Sequence, residues 1–197
     1  MIAGLILAAG ESRRMGRDKA LLTYRRRTFL DTIIGNLRGA GVENITVVLG
    51  HHAELIRRAV NLATVRVVVN PDYLRGQTSS LQVGLAALAA EGPDAVVLCL
   101  VDHPAVRAEL VAKLAERFQA TRAPVLIPTY RGERGHPVVI NQSLFPELLA
   151  LPSGRPANTI IRKYRDATEF VEVTDRGILL DVDEPETYER MQEGSKQ

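Results

Sequence analysis

Apolar residues fall along the chain in two alternating rhythms. Ile2 to Ala8 is a short apolar run that stops at Gly10, as expected of a strand covered on both faces. Phe29, Leu30, Ile33, Ile34 and Leu37 then recur at helical spacing and end at Gly39–Gly41. Ile45 to Leu49 predicts a second strand, Leu55, Ile56, Ala59 and Val60 a second helix, and Val65 to Val69 a third strand. Ser79 and Ser80 suit the cap of a helix carrying Leu81, Leu85, Leu88 and Ala89. Ala95 to Val101 is the most hydrophobic strand and is expected at the centre of the sheet. A helix with Leu110, Val111, Leu114 and Phe118 and a strand at Val125 to Ile127 follow it.

This order predicts an α/β, Rossmann-like fold with a mostly parallel sheet and helices on both faces. Beyond about residue 130, Gly132, Gly135, Pro137, Pro152, Gly154 and Pro156 interrupt the pattern around short strands at Val138–Ile140 and Phe170–Val173. We expect one domain over 1–197, with a nucleotide-binding half at 1–129 and an irregular, acceptor-side half at 130–192. The polar tail from Glu193 to Gln197 is expected to fray.

Composition narrows the function. The 197 residues carry 25 basic and 23 acidic side chains, a formal charge of +2, which favours neither nucleic acid nor a membrane surface as a partner. Aromatic residues are 5% and Trp is absent, so a base-stacking platform is poorly supported. The single cysteine, Cys99, permits no disulfide and fits a reducing cytoplasm. Ala95–Val101 is far short of the roughly 20 residues of a membrane helix. Arg13 and Arg14 follow the apolar start instead of preceding it, the wrong order for a secretion signal.

In an open parallel sheet ligands bind beyond the carboxyl ends of the strands, so the residues after each strand carry the functional information. After the first come Leu7, Ala8, Ala9 and Gly10, small enough for a ligand to approach the backbone. Ser12, Arg13, Arg14, Gly16, Arg17 and Lys19 follow. Gly10 and Gly16 are expected to allow turns that aim N–H groups at one point, and the cations suit phosphate. The segment matches neither the P-loop nor the dinucleotide fingerprint, because Arg17 and Asp18 separate Gly16 from Lys19 and the second strand closes with Gly50-His51-His52. Four cations in a β–α turn are also what a solvated loop carries.

Asp102 leaves the strongest strand and is followed by His103 and Pro104. A carboxylate there can hold Mg²⁺ together with substrate phosphates, or it can cap a helix opened by Pro104. Asn70 to Leu81 supplies amides and hydroxyls for a nucleobase or ribose, or for capping. His136 stands between Gly135 and Pro137, and Asp181, Asp183 and Glu184 lie beside short apolar strands. The four histidines lack the i, i+4 spacing of a helical metal site.

With these residues in view, the chain resembles the molybdenum cofactor cytidylyltransferase branch of the MobA-like nucleotidyltransferases. The matching pieces are Leu-Ala-Ala-Gly-x-Ser-x-Arg-Met-Gly-x-x-Lys at Leu7–Lys19, Asn-Pro-x-Tyr…Gly-x-x-Ser-Ser-Leu at Asn70–Leu81 and Asp-x-Pro at Asp102–Pro104. Gly-His-Pro-Val at Gly135–Val138 and Asp-x-Asp-x-Pro-Glu at Asp181–Glu186 complete them. The resemblance implies that family's fold and transfer of CMP from CTP to the terminal phosphate of a molybdopterin cofactor, with Mg²⁺ and release of pyrophosphate. A molybdoenzyme client is a further implied partner. Guanylyl-transferring relatives tend to carry Gly-Gly where this chain has Ala8-Ala9-Gly10. His103 stands in a slot often held by Gln or Met, and Glu184 in one often held by Thr.

The nucleophile of such a transfer is a phosphate oxygen already ionised at neutral pH, so catalysis reduces to positioning and charge neutralisation. Lys19 and Arg14 are expected to serve the triphosphate and the amides of Ala9 to Ser12 to cradle it. Asn70, Ser79 and Ser80 are expected to contact the nucleotide. Asp102 and Asp183 are expected to hold Mg²⁺, and His136, Asp181 and Asp183 to meet the acceptor. Other cytidylyl- or sugar-phosphate nucleotidyltransferases, and a non-catalytic molybdenum-cofactor maturation chaperone, are the competing expectations.

Overall fold

A computed structural model describes residues 1–152 and 154–194, so the end of the expected frayed tail, 195–197, lies outside the described residues. Its strands are β1 (Ile2–Ala8), β2 (Thr23–Tyr24), β3 (Arg27–Thr28), β4 (Ile45–Leu49), β5 (Arg66–Val69), β6 (Ala95–Leu100), β7 (Val125–Tyr130), β8 (Glu133–Arg134), β9 (Val138–Asn141) and β10 (Thr168–Glu172). The helices are α1 (Phe29–Gly39), α2 (Ala53–Ala59), α3 (Gln77–Ala89), α4 (Ala108–Thr121), α5 (Phe145–Leu149), α6 (Asn158–Lys163) and α7 (Pro185–Gly194).

The main sheet runs β10-β7-β9-β6-β1-β4-β5, with β8 on β7, so the most hydrophobic strand is central. β1 pairs in parallel with both β6 and β4, in registers that bring Leu7 opposite Leu100 and Ala8 opposite Leu49. Side chains alternate faces along β1. Ile6 and Ala8 pack with Leu37 of α1 and with Leu114 and Phe118 of α4. Leu5 and Leu7 pack with Leu85 of α3 and Leu148 of α5 on the opposite face. A third, small cluster joins Met15 of the signature loop to Leu22, Phe29, Val182 and Met191, so α7 is anchored beside that loop.

The sheet departs from the parallel expectation at β9, which lies antiparallel between β6 and β7. The two halves expected from the sequence therefore interleave in one sheet. Two helix starts also differ. α3 begins at Gln77 with Gly76 as its N-cap, which places Ser79 and Ser80 inside the first turn; the Ser79 hydroxyl donates to the Gly76 carbonyl at 2.7 Å. Pro104 does not open α4, whose N-cap is Arg107. The intervening Val106 is buried in the core, and its carbonyl accepts from Asn36 Nδ2 of α1; the extended Arg107 then starts the helix. Asp102 is accordingly not the cap of that helix.

Candidate active site

The carboxyl ends of β1 and β6 are adjacent and are joined further by the Val101 N–H, which donates to the Leu7 carbonyl at 3.1 Å. Beyond them opens a cavity of about 340 Å³. One wall is the signature loop: Leu7, Ala9, Gly10 and Ser12, then Arg13, Arg14 and Lys19. Its left-handed positions are Ser12 (φ 52°) and Gly16 (φ +68°), while Gly10 lies at a bend without a positive φ. Gly16 closes the turn by donating its N–H to the Ser12 carbonyl, a left-handed position that suits a residue without Cβ. The Ser12 Oγ accepts from the Lys19 N–H at 3.2 Å, which returns the chain toward β6.

Lys19 is buried, and its Nζ lies 3.2 Å from Asp102 Oδ2 and contacts Asp183 Oδ1. Arg14 also contacts Asp183 and stands 3.8 Å from Glu184. The C-terminal segment arrives here because the Val182 N–H donates to the Asp102 carbonyl at 2.9 Å. Burial alone would raise Asp183, but the hydrogen bond and charge of Lys19, with Arg14, hold its carboxyl below the usual range. Asp181 is pushed up to about 6, first by burial and then by the negative charges of Asp102 and Asp183. Carboxylates thus crowd one spot, with an ammonium group between two of them.

That arrangement fits a divalent cation. Asp102 Oδ1 is buried with no hydrogen-bond partner among the described residues, an uncompensated desolvation that coordination would relieve. Asp102, His103 and Asp181 also offer ligand atoms within 4.8 Å of one another.

The opposite wall of the cavity is Tyr73, Gly76, Gln77 and Ser80. Tyr73 and Gln77 were not among the expected site residues, although both lie in the polar stretch singled out above. Several expected residues sit elsewhere. The Ala8 side chain packs into the core. Asn70 is buried behind the wall, donating to the hydroxyls of Ser79 and Ser80 at 2.9 and 3.0 Å and accepting from the Asp72 N–H. Only Ser80 of that trio lines the cavity. Asp181 is not on the cavity wall, and His136 packs against His103 behind β6, ring centroids 4.8 Å apart. Both rings border a space of about 10 Å³ that Cys99 also lines. Burial, then the neighbouring His103, lowers His136 to about 4, and burial lowers His103 as well. Burial pushes the Cys99 thiol up to about 12, so it stays protonated.

Comparison with known proteins agrees with this geometry. The model of the MobA-like NTP transferase domain matches residues 4–168. Nicotine blue oxidoreductase of Paenarthrobacter nicotinovorans is 30% identical over 96% of each chain. Molybdenum cofactor cytidylyltransferase of Escherichia coli (strain K12) is 27% identical over 93% of this chain and 92% of that one. Among solved structures, Rv0371c from Mycobacterium tuberculosis H37Rv superposes with a TM-score of 0.86 at 32% identity, covering 98% of this chain and 97% of that one. A structure of Rv0371c in complex with manganese gives 0.82 at 30% identity, covering 98% of each. With the domain model spanning most of the chain and the fold shared end to end, this protein belongs to the MobA-like NTP transferase family.

Proposed function

We propose that the protein transfers CMP from CTP to the terminal phosphate of a molybdopterin-type acceptor and releases pyrophosphate. The observation that carries this reading is the meeting of Lys19, Asp102 and Asp183 at one end of the cavity, with Arg14 beside them. Lys19 and Arg14 neutralise the triphosphate and the departing pyrophosphate, and the signature loop holds the phosphates in line for attack. Asp102 and Asp183 would hold Mg²⁺, which when bound supplies positive charge to the phosphate oxygens. The acceptor phosphate is ionised at neutral pH, so no side chain needs to remove a proton from it. Ala9 lines the cavity where guanylyl-transferring relatives tend to carry glycine, which supports cytosine as the base. His136 and Asp181, off the cavity wall, are assigned to the acceptor side on the resemblance alone.

Pyrophosphate release measured with each of the four nucleotides, Mg²⁺ or Mn²⁺ and a panel of phosphate acceptors tests the proposal. CTP with a molybdopterin acceptor should be fastest. A faster reaction with a sugar phosphate would reassign the acceptor. Tight CTP binding without acceptor-dependent turnover would make the protein a carrier. One relative favours a second reading, oxidation–reduction, because nicotine blue oxidoreductase is similar over nearly the whole chain. Bleaching of nicotine blue with matched oxidation of an added hydride donor, a reduced nicotinamide nucleotide, and without any pyrophosphate release would decide for it.

A further inference from the structure

Among the described residues, the transfer chemistry leaves one cluster of ligating groups unused. Asp18, His51 and His52 lie on the β4 side of the signature loop, and each offers a ligand atom within 4.8 Å of the other two. Adjacent residues of an extended chain point to opposite faces, so His51 and His52 would diverge if β4 simply ran on. Instead His52 adopts φ 49°, ψ 31°, a left-handed conformation that few non-glycine residues take, Asn, Asp and His most often among them. This turn lays the two imidazole rings against each other, centroids 3.7 Å apart.

The third group is already in place. His52 Nδ1 is 3.0 Å from Asp18 Oδ2, and the Asp18 side chain is only 12% exposed. The Tyr73 hydroxyl lies 3.3 Å from His51 Nδ1, and coordination through Nε2 would keep that orienting contact. Two imidazoles and one carboxylate are the donors that zinc and its neighbours favour, with a further position left to water. Donors around a tetrahedral zinc stand roughly 3.3–3.6 Å apart, given bonds of about 2.0–2.2 Å. The His52–Asp18 pair is nearly at that spacing, and small side-chain rotations would bring in His51.

We propose that Asp18, His51 and His52 form a second metal site, taking an imidazole-preferring divalent ion such as Zn²⁺ or Co²⁺. It is separate from Asp102 and Asp183, because β4 and β6 flank β1 on opposite sides. Asp18 directly precedes Lys19, so the ion ties the signature loop to the end of β4 and steadies the lysine's backbone. The proposal does not depend on which reaction the cleft performs.

Calorimetric titration of the full chain with Zn²⁺, paired with Co²⁺ absorption spectra, tests it. In excess Mg²⁺, which occupies the carboxylates of the cleft, one Zn²⁺ per chain should bind in the wild type, in Asp102→Asn and in Asp183→Asn alike. Affinity should fall at least about tenfold in His52→Asn and in Asp18→Asn. Asparagine tolerates the left-handed backbone, so His52→Asn keeps the turn, and circular dichroism checks the fold of each variant. The visible bands of the Co²⁺ form should vanish in His52→Asn. Unchanged Zn²⁺ affinity in that variant, loss of the site in Asp102→Asn, or no Zn²⁺ binding by the wild type would each overturn the proposal and leave Asp18–His52 as a loop brace.

Discussion

Two clusters of titratable groups meet at the carboxyl end of β6 in opposite surroundings. In front, Lys19, Arg14, Asp102 and Asp183 are paired with one another and open to the cavity. Behind, His103 and His136 are packed ring to ring, and each has a buried Nδ1 with no hydrogen-bond partner among the described residues. The same stretch of chain, Asp102-His103, contributes to both. Which side of the strand end a group faces decides whether it acts as a charge or as neutral filling, because desolvation penalises the ionised form unless a partner compensates it.

The sharpest way to break this contrast is to remove the front cation. Lys19→Ala leaves Asp102 and Asp183 without their shared partner and should lower acceptor-dependent pyrophosphate release by ~10²–10³, the usual cost of one preorganised charge. Asp102→Ala should lose at least about as much in the same assay. Wild-type turnover in Lys19→Ala would refute the role assigned to the front cluster.

The rear cluster should answer to acid instead. The unfolded chain takes up a proton at the ordinary histidine value, 6.5, but folded His136 does so only at about 4. Its contribution to stability is thus complete above 6.5 and is lost as pH falls toward 4, a change of about 3 kcal/mol. His103, also lowered, acts in the same direction. Urea unfolding at pH 7 and pH 4 should show His136→Phe losing less stability on acidification than the wild type, by about that amount.

Gly135→Ala should disturb both clusters together. A Cβ there would stand 2.4 Å from the Ile178 carbonyl oxygen, so residues 178–183 must shift along with the neighbouring His136. We expect a loss of about 2 kcal/mol by denaturant unfolding, accompanied by reduced turnover. Thr28→Ala gives the smallest effect and serves as the contrast. Thr28 Oγ1 accepts from the Asp31 N–H at the start of α1, and losing the cap should cost about 1 kcal/mol of stability without altering turnover.

Much of the fold was legible because the buried strands are short apolar runs and the long helices α1 and α4 each show one apolar face. The position of β9 was not. Val138 to Ile140 is apolar enough for any strand, and nothing local specifies antiparallel insertion between β6 and β7. The signature loop and Asp102 could be read from their places after strands. The pattern of the chain alone does not bring Asp183 there; only the family resemblance places it beside Asp102, because its approach to Lys19 depends on a backbone hydrogen bond between Val182 and Asp102, residues far apart in the chain. The close approach of His51 and His52 escaped for another reason: neighbours in sequence are expected to diverge, and the left-handed turn at His52 reverses that.

The contact between Lys19 and Asp183 spans 164 positions. During synthesis, the sheet strands β1, β4, β5 and β6 can assemble while the ribosome is still making the last quarter of the chain, yet the cleft lacks one of its carboxylates until that quarter emerges. A product ending before Val182 would lack Asp183 and the core cluster that Val182 and Met191 complete beside the signature loop, leaving Lys19 with Asp102 alone, so the cleft is finished only by the last residues to be made.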